Sequence, residues 1–302
     1  MSRITLIAQL IKCKYALFAL LFLASSTLFC FSLPDTPFPF FSLTSLNTLI
    51  LGGCAFFVAR ALGMIVNQII DCTIDERNPR TQLRVLPAKL LSIKFSIHLL
   101  IFCLVLFLSL CWLFNFLCFL FSILTTLVMI IYPYTKRFTF LCHWVLGFVY
   151  YLAILMNFFA IVGAPSFFLF GIASLLGISF GMIIAANDII YAIQDIEFDQ
   201  KEGLFSIPAR FGAKQSIKIA SANLIASAIT YLFLGFFVPN RPIFYLCSLL
   251  PLVSIFRTLK YYSAINLNSQ QTLQENFFFE NFSLGIAFLV NMVGLFLLGG
   301  SS

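Results

Sequence analysis

The residues of this chain best suited to chemistry are its acids, which are few and clustered. Of eleven Asp and Glu residues in 302, eight lie in two short windows. One holds Asp71, Asp75 and Glu76; the other holds Asp188, Asp195, Glu197, Asp199 and Glu202. In the first, Asn67, Asp71 and Asp75 recur at i, i+4 and i+8, which stacks them on one face if the helix continues. In the second, Asp188, Tyr191, Asp195 and Asp199 share a face in the same way. Two facing rows of carboxylates repel each other, and divalent cations remove that cost. Hard oxygen ligands suit Mg²⁺, which usually takes one or two carboxylates together with substrate phosphates. The arrangement therefore predicts a diphosphate substrate. Acids at helix ends can also be simply solvated. Two groups on one side, in a chain nearly free of acid elsewhere, argue for a site.

The basic residues fit the same reading. Lys136 and Arg137 end a helix on that side, and Arg77, Arg80 and Arg84 follow the first window. Metals and cations together stabilise charge developing on a departing diphosphate. Taken singly, each such cation serves equally well to orient the chain or to meet lipid headgroups. Arg60 differs, because it lies seven residues before Asn67. At about 1.5 Å per residue that places it roughly 10 Å deeper. Snorkelling from there is costly, so it should face an internal cavity. Its guanidinium suits a carboxylate-bearing ligand or balances the Asp row itself. The residues alone leave both roles open.

The elements that hold these residues follow from composition. Apolar residues make up 61% and charged ones 10%, with 39 Phe, and the mean hydropathy is +1.03. A soluble domain carries roughly 25% charged residues, so the bilayer must be the solvent. The expected fold is all-α, one polytopic membrane domain over residues 1–302. A span needs about 20 mostly apolar residues. Nine are read, at 15–33, 45–70, 94–111, 112–132, 140–163, 166–192, 216–238, 243–259 and 281–300. Turns carry breakers at Pro34-Asp35-Thr36-Pro37, Gly163-Ala164-Pro165 and Pro239-Asn240-Arg241-Pro242. The polar stretch 264–280, with Gln270, Gln271 and Gln274, reads as a surface connection. A basic leader before the first span resembles a signal peptide, but no A-x-A site follows, which favours a retained helix.

With the N-terminus cytoplasmic, sixteen of 18 Lys and Arg residues fall on the inner side, leaving Arg241 outside and Arg60 within a span. Both acid windows then open at the cytoplasmic face of the cell's inner membrane. The net charge of +7 serves orientation, and no nucleic-acid partner is expected. The nine cysteines form no CxxC pair and read as free thiols in apolar runs.

The motifs resemble a known family. Asn67-Gln68-Ile69-Ile70-Asp71, continuing to Asp75, matches NDxxDxxxD with Gln68 in place of an Asp. Arg80-Thr81 through Arg84, Leu86, Pro87 and Ala88 is similar to RTxxRPLPSG. Tyr132-Pro133-Tyr134-Thr135-Lys136-Arg137 with Thr139 resembles YPxxKRxT, and the second Asp motif runs on through Gly203, Ser206, Ile207 and Pro208. His143 stands where Gln often occurs and receives no role. The chain thus resembles the UbiA superfamily of intramembrane aromatic prenyltransferases, in its 4-hydroxybenzoate polyprenyltransferase branch, over roughly residues 11–300.

This resemblance implies nine helices around a central cavity. It implies Mg²⁺ held by Asp71, Asp75, Asp195 and Asp199 on a polyprenyl diphosphate. Asn67, Lys136 and Arg137 would help bind phosphate oxygens, with Arg60, Asp188 and Tyr191 as further substrate contacts. Ionisation would give an allylic cation shielded from water in an aromatic-rich cavity, although any single Phe is more often lipid-facing. The ring carbon ortho to a phenol would attack. The acceptor resembles an aromatic carboxylic acid, with 4-hydroxybenzoate first. Asn78-Pro79-Arg80-Thr81 and the stretch from Asp188 to Asp195 also resemble enzymes of the futalosine route to menaquinone, whose acceptor would be a dihydroxynaphthoate. Gln68 would alter one metal contact. A different class, an ion-coupled transporter, would place its acids near the midplane between inverted repeats. These lie at helix ends.

Overall fold

The computed structural model describes residues 2–33, 36–37, 39–264 and 270–299, with the backbone alone at 14–18, 270–278 and 299. Its elements are helices: α1 (Arg3–Leu10), α2 (Cys13–Phe31), α3 (Leu43–Ile70), α4 (Cys72–Arg77), α5 (Ile93–Phe114) and α6 (Phe116–Thr135). Then follow α7 (Cys142–Val162), α8 (Phe167–Ala192), α9 (Ile196–Lys201), α10 (Ile207–Leu234), α11 (Arg241–Ser263) and α12 (Gln270–Gly299). Among the described residues eight helices are long and apolar enough to cross a membrane, and the stretch Ala19–Phe31 of α2 is a shorter apolar helix. The expected order of spans is therefore present.

Several helix starts are set by one side chain. Ser42, Ser92, Ser166 and Ser206 accept from the backbone N–H three residues on, satisfying a donor that the helix itself cannot. Asn115 does the same and corrects one boundary. The break between the third and fourth expected spans lies at Asn115, beyond the expected 111/112 division. Its backbone is extended, its Oδ1 accepts from Cys118 N at 2.8 Å, and its Nδ2 donates to the Phe159 carbonyl at 2.8 Å. An apolar run on both sides hid a single polar residue that caps one helix and pins another.

Other boundaries shift too. Helix α10 begins at Ile207 and not near 216, because Ser206 caps it and Pro208 suits its first turn; Gly212, at φ 76°, bends it. The polar stretch expected as a surface connection is helical from Gln270 onward. Residues 265–269, like Pro34 and Asp35 of the first expected turn, lie outside the described residues.

Packing follows the lipid rule. The outer face of α5 presents Ile97, Ile101, Val105 and Trp112, all exposed, where lipid would cover them. The inner helix is α8, whose residues from Ile183 to Ile190, Asp188 excepted, are all buried. It meets α7 where small residues let the backbones approach. A Cβ on Gly147 would stand 2.5 Å from the Gly181 carbonyl oxygen. Polar side chains inside the bundle pair with each other: Tyr262 and Asn281 both bond Asn187, and Asn291 bonds Tyr231. Sequence alone left the arrangement around these contacts open.

Candidate active site

A cavity of about 390 Å³ runs between α3, α6, α7 and α8. One end carries Asn67, Asp71, Asp75, Lys136, Asp195 and Asp199, and the walls carry Phe56, Phe107, Phe114, Leu146, Tyr150 and Met156. It is an apolar slot with a charged end. Such a shape suits a molecule with an apolar tail and an anionic head.

The first window is not one continuous helix. Helix α3 stops at Ile70, Asp71 lies at φ −90°, ψ 0° at the junction, and α4 restarts at Cys72. The break separates the Asp71 and Asp75 environments. Lys136 Nζ donates to Asp71 Oδ2 at 2.6 Å and Asn67 Nδ2 to the same oxygen at 3.3 Å. Arg84 donates to Asp75 Oδ2 at 2.7 Å. Asp71 and Asp75 are only 2% and 5% exposed. Burial pushes the Asp71 carboxyl above its ordinary range, the Lys136 ammonium opposes this, and Asp75 adds to it. Removing this carboxylate from water is thus only partly offset by the fold.

The second window is also broken. Helix α8 ends at Ala192, a 3-10 turn covers Ile193–Asp195, and α9 follows. Arg80 clasps Asp195 with Nε at 2.8 Å and Nη2 at 2.5 Å, and Asn78 Nδ2 donates to the same carboxylate at 3.0 Å. Arg80 Nη1 also donates to the Tyr191 hydroxyl at 2.9 Å. The bidentate pair holds the Arg80 guanidinium charged. Asp199 accepts from Ser206 at 2.9 Å. Facing rows of bare carboxylates are therefore replaced by two windows joined through cations of the intervening loop.

Other expected residues find distinct places. Arg60 lines the cavity, and its buried Nε has no hydrogen-bond partner. It is not an ion-pair partner of the Asp row, whose pairs are Lys136, Arg84 and Arg80. Arg137 is turned toward the edge: it donates to the Ile70 carbonyl at 2.9 Å, lies over the Tyr134 ring, and approaches Asp71 Oδ1 only to 4.0 Å. Asp188 does not join the other acids at their oxygens, because His143 Nδ1 bonds it at 2.7 Å. Ile207 N–H points at His143 Nε2 at 3.4 Å. A proton on Nδ1 lets the ring donate to Asp188. Gln68, which stands in place of the motif's usual acid, has a partner of its own. It is buried, and its Nε2 donates to the Leu10 carbonyl.

Sequence reading gave no site role to His143, Asn78 or Lys12, which all line the cavity. Asn78 had a signal, since it sits two residues before the arginine it orients: Arg80 N–H donates to Asn78 Oδ1 at 2.9 Å. His143 had only its rarity in an apolar chain.

The donor set fits a hard divalent cation. Asp71 Oδ1 is buried with no hydrogen-bond partner, and Asp75 and Asp199 line the same end of the cavity. Carboxylate oxygens of this kind suit Mg²⁺. Among the described residues no three His, Cys, Asp or Glu are already gathered as a metal cluster, and Asp195 is engaged by Arg80.

Comparisons with known proteins agree with this architecture. The UbiA prenyltransferase family model matches residues 23–282. A mitochondrial 4-hydroxybenzoate polyprenyltransferase of Dictyostelium discoideum is 28% identical over 68% of this chain, a stretch that spans 43% of that protein's length. A 4-hydroxybenzoate octaprenyltransferase of Francisella tularensis subsp. novicida is 31% identical, covering 68% of this chain and 72% of that protein. The apo structure of a UbiA homologue from Aeropyrum pernix superposes with a TM-score of 0.76 at 25% identity, over 90% of this chain and 96% of that one. A UbiA homologue from Archaeoglobus fulgidus, bound to GPP and Mg²⁺, gives 0.66 at 20% identity over 95% and 99%, a likeness of fold.

Proposed function

The chain belongs to the UbiA prenyltransferase family, and from that membership we propose that it transfers a polyprenyl group from polyprenyl diphosphate to an aromatic acid, with 4-hydroxybenzoate as the acceptor. It is a multi-pass integral membrane enzyme of the prenyltransferase class. The observation that carries the finer reading is Arg60. A partnerless guanidinium stands in a largely apolar cavity whose charged end gathers the acids. A buried donor left without a partner is costly, so a ligand carboxylate there gains a bidentate partner.

The reading assigns roles along the cavity. Asp71, Asp75, Asp195 and Asp199 would hold Mg²⁺, which when bound neutralises diphosphate oxygens and eases departure of that group. Lys136 and Asn67 bind phosphate oxygens, and Arg137 supports them from the edge. The Phe and Tyr walls exclude water and favour an allylic cation through their ring faces. Arg60 holds the acceptor carboxylate so that the ring carbon ortho to the phenol meets that cation and then loses its proton. Asp188, fixed by His143, and Tyr191 border the acceptor. GPP and Mg²⁺ bound to the Archaeoglobus homologue support placing a prenyl diphosphate in this fold. The reading takes residues 1–302 as one domain, opening to the cytoplasmic side of the inner membrane.

The test is a competition. Membranes containing the protein receive Mg²⁺, labelled prenyl diphosphate, 4-hydroxybenzoate and a dihydroxynaphthoate, and products are identified by mass. Prenylated 4-hydroxybenzoate is expected. Exclusive naphthoate product would replace the acceptor, and no Mg²⁺-dependent product from either would remove the reading.

A further inference from the structure

Lys12 is a cation that the proposed reaction leaves without a task. It sits between α1 and α2 at φ 49°, ψ 52°, a left-handed backbone uncommon for residues other than glycine. The bend does not stand free. Helix α1 packs Leu6 and Leu10 against Leu62 and Ile65 of α3. Gln68 reaches across from α3 to donate to the Leu10 carbonyl, two residues before Lys12. Here Gln68, which replaces the family's usual acid, anchors the bend. With the bend fixed, the Lys12 side chain lines the cavity together with Arg60 and Arg84.

The neighbouring cations are already occupied and Lys12 is not. Arg84 is paired with Asp75, Arg80 with Asp195 and Lys136 with Asp71. The Lys12 backbone N–H donates to the Gln9 carbonyl at 3.1 Å, but among the described residues its ammonium has no hydrogen bond or ion pair, and Arg60 Nε has no partner either. Burial, then the charges of Arg84, Arg60 and Arg80, push the Lys12 amine down to about 7, and only Asp75 opposes them. Around Lys12 three cations thus face a single carboxylate, Asp75, and an anion placed there would relieve their repulsion.

We infer that Lys12 is the second arm of the anion site headed by Arg60, and that the two together grip the carboxylate of the aromatic acceptor. The inference rests on the proposed function. A carboxylate has two oxygens, and a guanidinium with an ammonium beside it satisfies both. A diphosphate is the less fitting occupant. Lys136 and the unpartnered Asp71 oxygen mark its place, whereas Arg60, the neighbour of Lys12 that pairs with no acid, lies seven residues before Asn67 on α3.

The experiment uses the full chain in lipid nanodiscs with Mg²⁺, GPP as donor, and 4-hydroxybenzoate or 4-hydroxybenzamide as acceptor. Lys12→Met should raise the KM for 4-hydroxybenzoate about tenfold or more. It should leave the KM for GPP within about twofold and erase the preference for the acid over the amide. Lys12→Arg should restore the acceptor KM. It should also flatten the rise of that KM above pH 7, because a guanidinium keeps its charge. A larger rise in the GPP KM would make Lys12 a phosphate ligand and overturn the inference. Equal loss of kcat in both variants with unchanged KM values would make it merely structural, with the same result. If the parent prenylates no carboxylated ring, the proposed function has failed. If the parent does so and Lys12→Met keeps its acceptor KM, only the role of Lys12 has failed.

Discussion

Asp71 and Asp195 hold corresponding places in two acid windows, yet the fold treats them differently. Asp71 is buried, shares one oxygen with Lys136 and Asn67, and keeps the other without a hydrogen bond. Asp195 gives both oxygens to Arg80 and Asn78, which lie in the loop just after the first window. One half of the site stands ready for a cation, while the other half is latched by its neighbour. Arg80 must share or release Asp195 before that carboxylate can turn to a metal. The difference teaches that the two windows are successive parts of one assembly, joined through a loop, and not mirror copies.

That contrast can be broken by experiment. Asp71→Asn and Asp195→Asn should each lower kcat/KM for the prenyl diphosphate by on the order of 10²–10³, measured in membranes at saturating acceptor. Full activity of Asp195→Asn would reduce the second window to a structural clasp. Arg60→Ala, away from both windows, should raise the acceptor KM by about ten- to a hundredfold and spare the GPP KM. Equal damage to both would tie Arg60 to the Asp row after all. Arg80→Ala should raise the prenyl diphosphate KM about tenfold while lowering the Mg²⁺ concentration needed for half activation, because it frees Asp195. An increased Mg²⁺ requirement would show that the latch helps to build the metal site. The smallest effect belongs to His143. Glutamine can still donate to Asp188, so His143→Gln should stay within about threefold of the parent, whereas His143→Leu should lose about tenfold.

The helical order and both acid windows were legible because the signals are local. A span announces itself by length and hydropathy, and Asn67, Asp71 and Asp75 by their spacing. The breaks at Asp71 and Ala192 were not legible, since helical periodicity in the sequence continues through both. Neither was the pairing of the acids. Lys136 meets Asp71 from 65 residues away and Arg80 meets Asp195 from 115, and such contacts depend on how helices pack. Gln68 shows the same limit. Its place in the motif says that an acid is replaced there, but not that the amide reaches the α1–α2 bend. The Asn115 boundary was missed because one polar residue between two apolar runs barely changes their hydropathy.

The glycine contact between α7 and α8 has a mechanical side. His143 lies four residues before Gly147, and Asp188 seven residues after Gly181, so in this antiparallel pair both lie toward the same end of the crossing. The touching backbones act as a fulcrum. A methyl wedged at Gly147, where a Cβ would come within 2.5 Å of the Gly181 oxygen, would spread the two helices like the blades of shears. The displacement would grow toward the charged end, where a 2.7 Å bond has little reach to spare. Two residues with no side chain thus set the gauge of a site they do not touch.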